Sequence, residues 1–373
     1  MIQVLLTWLL WPMLWIGLRR RPSVPRRILV IQTAKIGDAI CTSPLLRELR
    51  AGFPAAAITV LAAPLTAQLF FNNPRVDDVI EVDSRDLHGM VSKLRLAWTL
   101  RRRGFDLALC CNSAAHWPCL LLWAGIPRRI GIVSNYPGRT IRLANALWPD
   151  CAPHRSGRLV METYGDMLEH CGLSRGSLDK EVFAAPGADA RARGIVPDGA
   201  ELIGVAVSSG NKLKELGEQK LAAVIAGLLA RRPTARIVLL GVSDDAAPAA
   251  RLKDGRATDA GRIVVACGRC ELADLPALMK RLSLFVGVDS GLTYMADALG
   301  IPLVSMAGPA DMLDARPINP RAVIIRRDLP CAPCSHYFRA PYACRIGTRA
   351  CITEVKAEEI VDAACRLLEV GTG

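Results

Sequence analysis

"ILVIQTAKIGDAICTSP", residues 28–44, passes from a short apolar run through a Gly-Asp pair into apolar residues at helical spacing. A run of that length, stopped by small and polar residues before a helical pattern, reads as a strand that feeds a helix. Residues 28–32 are expected to be a strand buried on both faces, and residues 39–51 the helix that follows Asp38. Working outward, 58–63, 77–83 and 106–112 read as further strands. Strands alternating with helices indicate a parallel sheet covered on both faces, a Rossmann-like domain.

The pattern restarts at "LIGVAVSSG", residues 202–210, continues through a helix at 218–231, and adds strands at 235–242, 262–268, 284–291 and 302–309. The fold class is therefore α/β. Its expected divisions are an N-terminal membrane-associated segment at 1–25, a Rossmann-like domain at 26–185, a Gly-, Pro- and Ala-rich linker at 186–200 and a second Rossmann-like domain at 201–373. In two such domains facing across a cleft, ligands sit at the carboxyl ends of the strands, and Asp38 lies at one of those ends.

The chain's 373 residues exceed the usual single-core limit, and 51% of them are apolar against 22% charged, the balance of a folded protein. The net charge of +12 favours polyanionic partners such as anionic lipid or phosphorylated sugars. Nucleic acid is the weakest candidate, and none is expected as a partner: only 5% of residues are aromatic, and no basic stretch carries interleaved stacking residues.

Ile2 to Leu18 carries no charge and holds Trp8, Trp11 and Trp15, after which Arg19, Arg20, Arg21, Arg26 and Arg27 follow. A cleaved signal peptide has the reverse charge order, so the segment is expected to be retained. Its 17 residues reach ~25 Å, which suits a short span kinked at Pro12 or an in-plane anchor. The arginines place the body on the cytoplasmic face of the inner membrane. The alternative is a helix packed against the protein's own core. Of thirteen cysteines, Cys110, Cys111, Cys119 and Cys365 lie in apolar runs and read as core.

"VGVDSGLTYMADALGIPLVSMAGPADM", residues 286–312, is a second strand-to-helix junction. Ser290 and Gly291 open a helix whose unpaired N–H groups suit a phosphate, with Asp289 available for sugar hydroxyls; plain helix capping is the competing view. "AGPAD" at 307–311 adds a loop containing Gly308. "CAPCSHYFRAPYACRIGTRAC" spaces Cys331, Cys334, Cys344 and Cys351 as C-x2-C-x9-C-x6-C, a set able to surround a tetrahedral structural metal, zinc or iron. Free thiols or disulfides are the alternative, and His336 a substitute ligand. Cys267 and Cys270 read as incidental. His116 and His154 read as surface or packing residues.

The ordered set of Gly-Asp loop, small-residue loop with lysine, Asp-Ser-Gly helix start and Gly-Pro-x-Asp loop resembles glycosyltransferase family 9, the ADP-heptose lipopolysaccharide heptosyltransferases. The resemblance implies a GT-B fold, a nucleotide-sugar donor held mainly by the second domain, a lipid-linked sugar acceptor met by the first, and inversion without a catalytic metal; the basic charge and the N-terminal segment fit an anionic glycolipid acceptor at the inner-membrane surface. It makes Asp38 the general base; the competing reading is a helix cap. Lys35 is an acceptor-binding candidate. Ser209, Lys212 and Lys214, with Asp289, Ser290, Gly291 and Gly308, are the donor and phosphate candidates, since charge building on a leaving diphosphate needs countercharge. The chain departs from the family at Val207-Ser208-Ser209-Gly210, where His-Pro-Gly is usual, and at Tyr294, where histidine is common. These departures keep open another nucleotide-sugar, or a catalytically silent protein that binds a glycolipid or partner.

Overall fold

The computed structural model describes residues 2–16, 24–196, 199 and 201–370. The chain forms two compact units, Met1–Leu178 and Asp179–Gly373. The first begins with helix α1 (Ile2–Ile16) and holds strands β1 (Arg27–Gln32), β2 (Ala57–Ala62), β3 (Asp78–Glu81), β4 (Leu107–Cys110), β5 (Arg128–Val133) and β6 (Asp150–Pro153). Their order is β3-β2-β1-β4-β5-β6, and every pairing is parallel. Helices α2 (Ile36–Cys41) and α3 (Ser43–Gly52) follow β1, while α4 (His116–Trp123) and α5 (Arg139–Asn145) flank β5 in sequence. The expected single helix at 39–51 is thus two helices that meet at Thr42. β5 and β6 add two strands to those read from the sequence.

The second unit opens with α6 (Ala188–Ile195) and holds β7 (Leu202–Ala206), α7 (Glu218–Arg231), β8 (Arg236–Leu240), β9 (Ile263–Val265), β10 (Leu284–Val288), α8 (Gly291–Ala298), β11 (Leu303–Met306), β12 (Ala322–Ile325) and α9 (Ala357–Val370). The sheet order is β12-β11-β10-β7-β8-β9, again parallel throughout. Strands β1 and β7 are buried on both faces, as all-parallel sheets require. In each sheet the order reverses beside the first strand, between β1 and β4 in one and between β7 and β10 in the other. Ligands of open α/β sheets bind at this reversal, outside the strands' carboxyl ends.

One stretch differs from expectation. The stretch 186–200 contains α6, fastened within the second unit by Ala185 N–H to Ala273 O (2.8 Å) and by Arg191 to Asp274 (2.5 Å). Just after the division, Lys180 and Asp297 form a buried ion pair at 2.6 Å. The apolar segment at 1–25 was expected to span or lie in a membrane. Among the described residues no helix is long and apolar enough to cross one. α1 packs on its own unit, the placement that the sequence left as the alternative to a span, Val4 meeting Cys119, Ala144 and Leu147. Arg19, Arg20 and Arg21 lie outside the described residues.

Candidate active site

In the first unit the polypeptide leaves β1 through Thr33, Ala34 and Lys35 and turns into α2, with Asp38 in the first turn. The Asp38 Oδ2 accepts the Lys35 N–H at 3.0 Å. This return bond satisfies one of the donors that a helix start leaves unpaired and fixes the carboxylate against the strand end. Lys35 itself is exposed.

A polar network beneath the loop was not anticipated from sequence. Gln32, fully buried, donates through Nε2 to Thr42 Oγ1 (2.8 Å) and accepts through Oε1 from Ala34 N–H (3.2 Å) and Asn112 Nδ2 (3.1 Å). Asn112 Oδ1 accepts the Thr33 N–H at 2.9 Å. The loops after β1 and β4 are thereby tied together at the reversal of strand order. The available signal was a polar residue closing each apolar run, in "LVIQ" and "LCCN".

The second unit repeats the arrangement with charged groups. Lys214, in the loop after β7, pairs through Nζ with Asp289 Oδ2 at the end of β10. Tyr294, one turn into α8, donates its hydroxyl to Asp289 Oδ1 at 2.9 Å. Both carboxylate oxygens are therefore engaged, one by Lys214 and one by Tyr294, with lone pairs left over for sugar hydroxyls. Ser290 caps α8 in extended conformation, and its Oγ is buried with no hydrogen-bond partner among the described residues. Gly291 is the first residue of α8. Lys212 is exposed and bonds Glu215 at 2.9 Å, and the Ser209 N–H donates to the same Glu215 carboxylate at 3.1 Å. Lys214 is thus the lysine at the strand-order reversal, and Lys212 faces its own loop. Gly308 has φ 56° and stands so close to Ile352 that a Cβ there would clash, which explains the glycine by backbone and packing.

The cysteine segment braces these loops. Arg349 donates to Leu213 O (3.2 Å) and Glu215 O (2.5 Å), and Asn211 Nδ2 donates to Pro341 O at 3.0 Å. Cys334 and Ser335 donate N–H groups to Pro309 O at 3.0 and 2.9 Å, which straps the segment to the "AGPAD" loop. Cys331, Cys334, Cys344 and Cys351 line one pocket beside Leu213 and Pro309. Backbone N–H groups, first that of Arg349, hold the Cys344 thiol below its ordinary pKa. Burial, and then the neighbouring thiols, push Cys334 and Cys351 up. Among the described residues, the one group of three metal-ligating types with atoms within 4.8 Å of one another is Asp311, Asp314 and His336, not the thiols. His336 Nδ1 lies 3.1 Å from Asp311 and 3.5 Å from Asp314.

Residues set aside from sequence stay aside. His116 is driven down to about 4 by burial and then by Lys93, His154 Nδ1 bonds Thr163 Oγ1 at 2.9 Å, and burial pushes Cys267 up to about 12.

Two parallel sheets with polar or charged side chains meeting at each reversal define an α/β protein built to bind ligands at strand ends. Residues 93–340, more than half of the chain, match glycosyltransferase family 9 (heptosyltransferase), and the chain belongs to that family; it is a glycosyltransferase. It is 24% identical to lipopolysaccharide heptosyltransferase 3 of Escherichia coli over 75% of this chain and 83% of that protein. Its fold is similar to that of E. coli ADP-heptose lipopolysaccharide heptosyltransferase II, with a TM-score of 0.72 and 18% identity over 93% of this chain and 100% of that one. It is also similar to an iron-containing dodecameric glycosyltransferase of enterotoxigenic E. coli, with a TM-score of 0.60 and 13% identity over 95% of this chain and 78% of that one.

Proposed function

We propose that the chain transfers heptose from ADP-heptose, with inversion, onto a lipid-linked oligosaccharide such as the lipopolysaccharide core at the cytoplasmic face of the inner membrane. The observation that carries this reading is the Lys214–Asp289–Tyr294 arrangement at the second unit's strand-order reversal, beside the Ser290-capped helix. A lysine held there by a carboxylate is a preorganised cation, placed for the charge that grows on a leaving diphosphate. The heptosyltransferase names of its relatives support the donor.

In this reading Asp38 takes the proton of the acceptor hydroxyl as that oxygen bonds to the anomeric carbon. The bond from that carbon to the diphosphate oxygen breaks, and the diphosphate departs with the electron pair toward Lys214 and the N–H groups of Ser290 and Gly291. The return bond from Lys35 orients the Asp38 carboxylate for this role. No catalytic metal is called on.

Cys331, Cys334, Cys344 and Cys351 would hold a structural zinc or iron. The fit rests on four soft donors around one pocket and on the N–H groups that favour thiolate at Cys344. The metal would close the segment that carries Arg349, drawing the sulfurs together on binding. Elemental analysis of purified protein tests this: one metal per chain, lost on Cys344→Ser together with a fall in Tm, is the expected result.

The test of the activity is mass spectrometry of products from ADP-, UDP- and GDP-sugars with extracted lipid acceptor. A heptosylated acceptor formed from ADP-heptose is expected. Donor binding without any product from the panel would favour the silent binding protein that the replacement at Tyr294 keeps in view.

A further inference from the structure

The first helix carries two faces, only one of which the fold uses. Val4 and Thr7 are fully buried, and with half-buried Trp8 they form a stripe at helical spacing against α4 and α5. The contact is pinned by polar bonds as well: Trp123 Nε1 donates to Thr7 Oγ1 at 3.0 Å, and Trp8 Nε1 donates to Leu143 O at 3.2 Å. The remaining face presents Leu5, Leu6, Leu9 and Leu10 to solvent, Leu9 at 76% exposure, while Trp11, edge-on to Trp8 at 5.5 Å, closes the packed stripe. Leu143 on α5, to which Trp8 is bonded, is exposed too and extends the apolar surface. A contiguous apolar patch of this kind marks an interaction site.

Charge says what covers it. Arg139 and Arg142 are exposed on α5, the helix that Trp8 bonds through Leu143 O. No acidic residue occurs between Asp106 and Asp150, the stretch that forms α4 and α5, nor anywhere before Asp38. A surface of leucine with arginines on the adjoining helix, free of carboxylate, complements an anionic lipid headgroup layer, whereas a second copy of the same face would set arginine against arginine. Geometry settles the mode. Among the described residues the 15 of α1 extend ~22 Å, and the helix lies along its own unit through Val4, Thr7 and Trp8, an arrangement too short and too firmly held to cross a ~30 Å hydrocarbon core.

We propose that α1 is an in-plane membrane anchor, holding one face on the first unit and inserting Leu5, Leu6, Leu9 and Leu10 into the headgroup–acyl boundary of an anionic bilayer, with Arg139 and Arg142 on the headgroups. Helices with one apolar face and flanking arginines bind bilayers in this manner. The inference does not depend on the transfer chemistry.

The test is sedimentation of the full chain with vesicles of phosphatidylcholine alone, and of equal parts phosphatidylcholine and phosphatidylglycerol. Binding to the anionic vesicles is expected, weaker on the neutral ones, and released by an alkaline carbonate wash. Leu9→Glu/Leu10→Glu should lower the bound fraction at least tenfold, and Arg139→Glu/Arg142→Glu about tenfold, with a flatter salt dependence. These positions are exposed, and an unchanged circular dichroism spectrum confirms that each variant folds. Absence of vesicle binding by the wild type, equal binding by the Glu variants, resistance to the carbonate wash, or a concentration-dependent dimer abolished by Leu9→Glu/Leu10→Glu in place of vesicle binding would each overturn the proposal.

Discussion

The two strand-order reversals are built alike and finished differently. At the first, Thr33 and Asn112 join the loops after β1 and β4 through neutral hydrogen bonds, and the acid of the loop, Asp38, is held by a backbone N–H three residues away. At the second, the loops after β7 and β10 are joined by an ion pair between Lys214 and Asp289, reinforced by Tyr294 and braced from outside by Arg349. One sheet order therefore supports two electrostatic characters, an oriented carboxylate and an oriented cation. The proposed chemistry asks for one of each: an acceptor must lose a proton and a diphosphate must gain countercharge.

The sharpest way to break the contrast is at its acid. Asp38→Ala should lower the turnover rate by about 10²–10⁴-fold, the range for removing a general base. It should also cost ~1 kcal/mol of stability through the lost helix-start bond. Asp38→Asn should restore most of that stability and none of the rate, and thermal melts beside initial rates separate the two effects.

The cation comes next: Lys214→Ala is expected to reduce kcat/KM for the donor by about 10²–10³-fold, the scale of one lost transition-state donor. Lys212→Ala, whose side chain is exposed and pairs with Glu215, should leave donor kinetics close to wild type. Smaller again, Tyr294→Phe removes one hydrogen bond to an ionised group and should raise the donor KM about tenfold, with the fold intact by circular dichroism. Arg349→Ala acts through the Lys214 loop and should raise donor KM about fivefold, more at high temperature where that loop is freer. An effect at Arg349 as large as that at Lys214 would mean that the brace touches the ligand itself.

How much of this was legible in the sequence follows from the range of the interactions involved. β1, β2, β4, β7, β8, β10 and β11 are near-continuous apolar runs, so their alternation with helices could be read directly. β5 was hidden because it begins with Arg128 and Arg129; Arg129 is nonetheless buried, its guanidinium donating to Ile126 O at 2.5 Å. β6 contains Pro153, tolerated because the strand lies at the sheet edge, and β12 is four half-buried residues on the other sheet's edge. The stretch 186–200 looked like a linker because glycine, proline and alanine dominate it. Contacts of Ala185 and Arg191 with 273–274, far away in sequence, make it part of the second unit.

The same holds at the strand ends. Asp38 and its partner are three residues apart, so capping was visible as an alternative from the start. Lys214 and Asp289 are 75 residues apart, and the Arg349 bonds span 134 to 136, so no local pattern announces them. Tyr294 read as a departure from the family pattern. In the structure its hydroxyl orients Asp289 from the first turn of the helix that follows.

The claim on which all of this turns is that the first reversal supplies the base and the second holds the donor. The most direct measurement is calorimetric titration of ADP-heptose into wild type, Asp38→Asn and Lys214→Ala, paired with product formation by the same three proteins. The account predicts that Asp38→Asn binds the donor as tightly as wild type and forms almost no product, while Lys214→Ala loses donor affinity. Full turnover by Asp38→Asn, or wild-type donor affinity in Lys214→Ala, would contradict it.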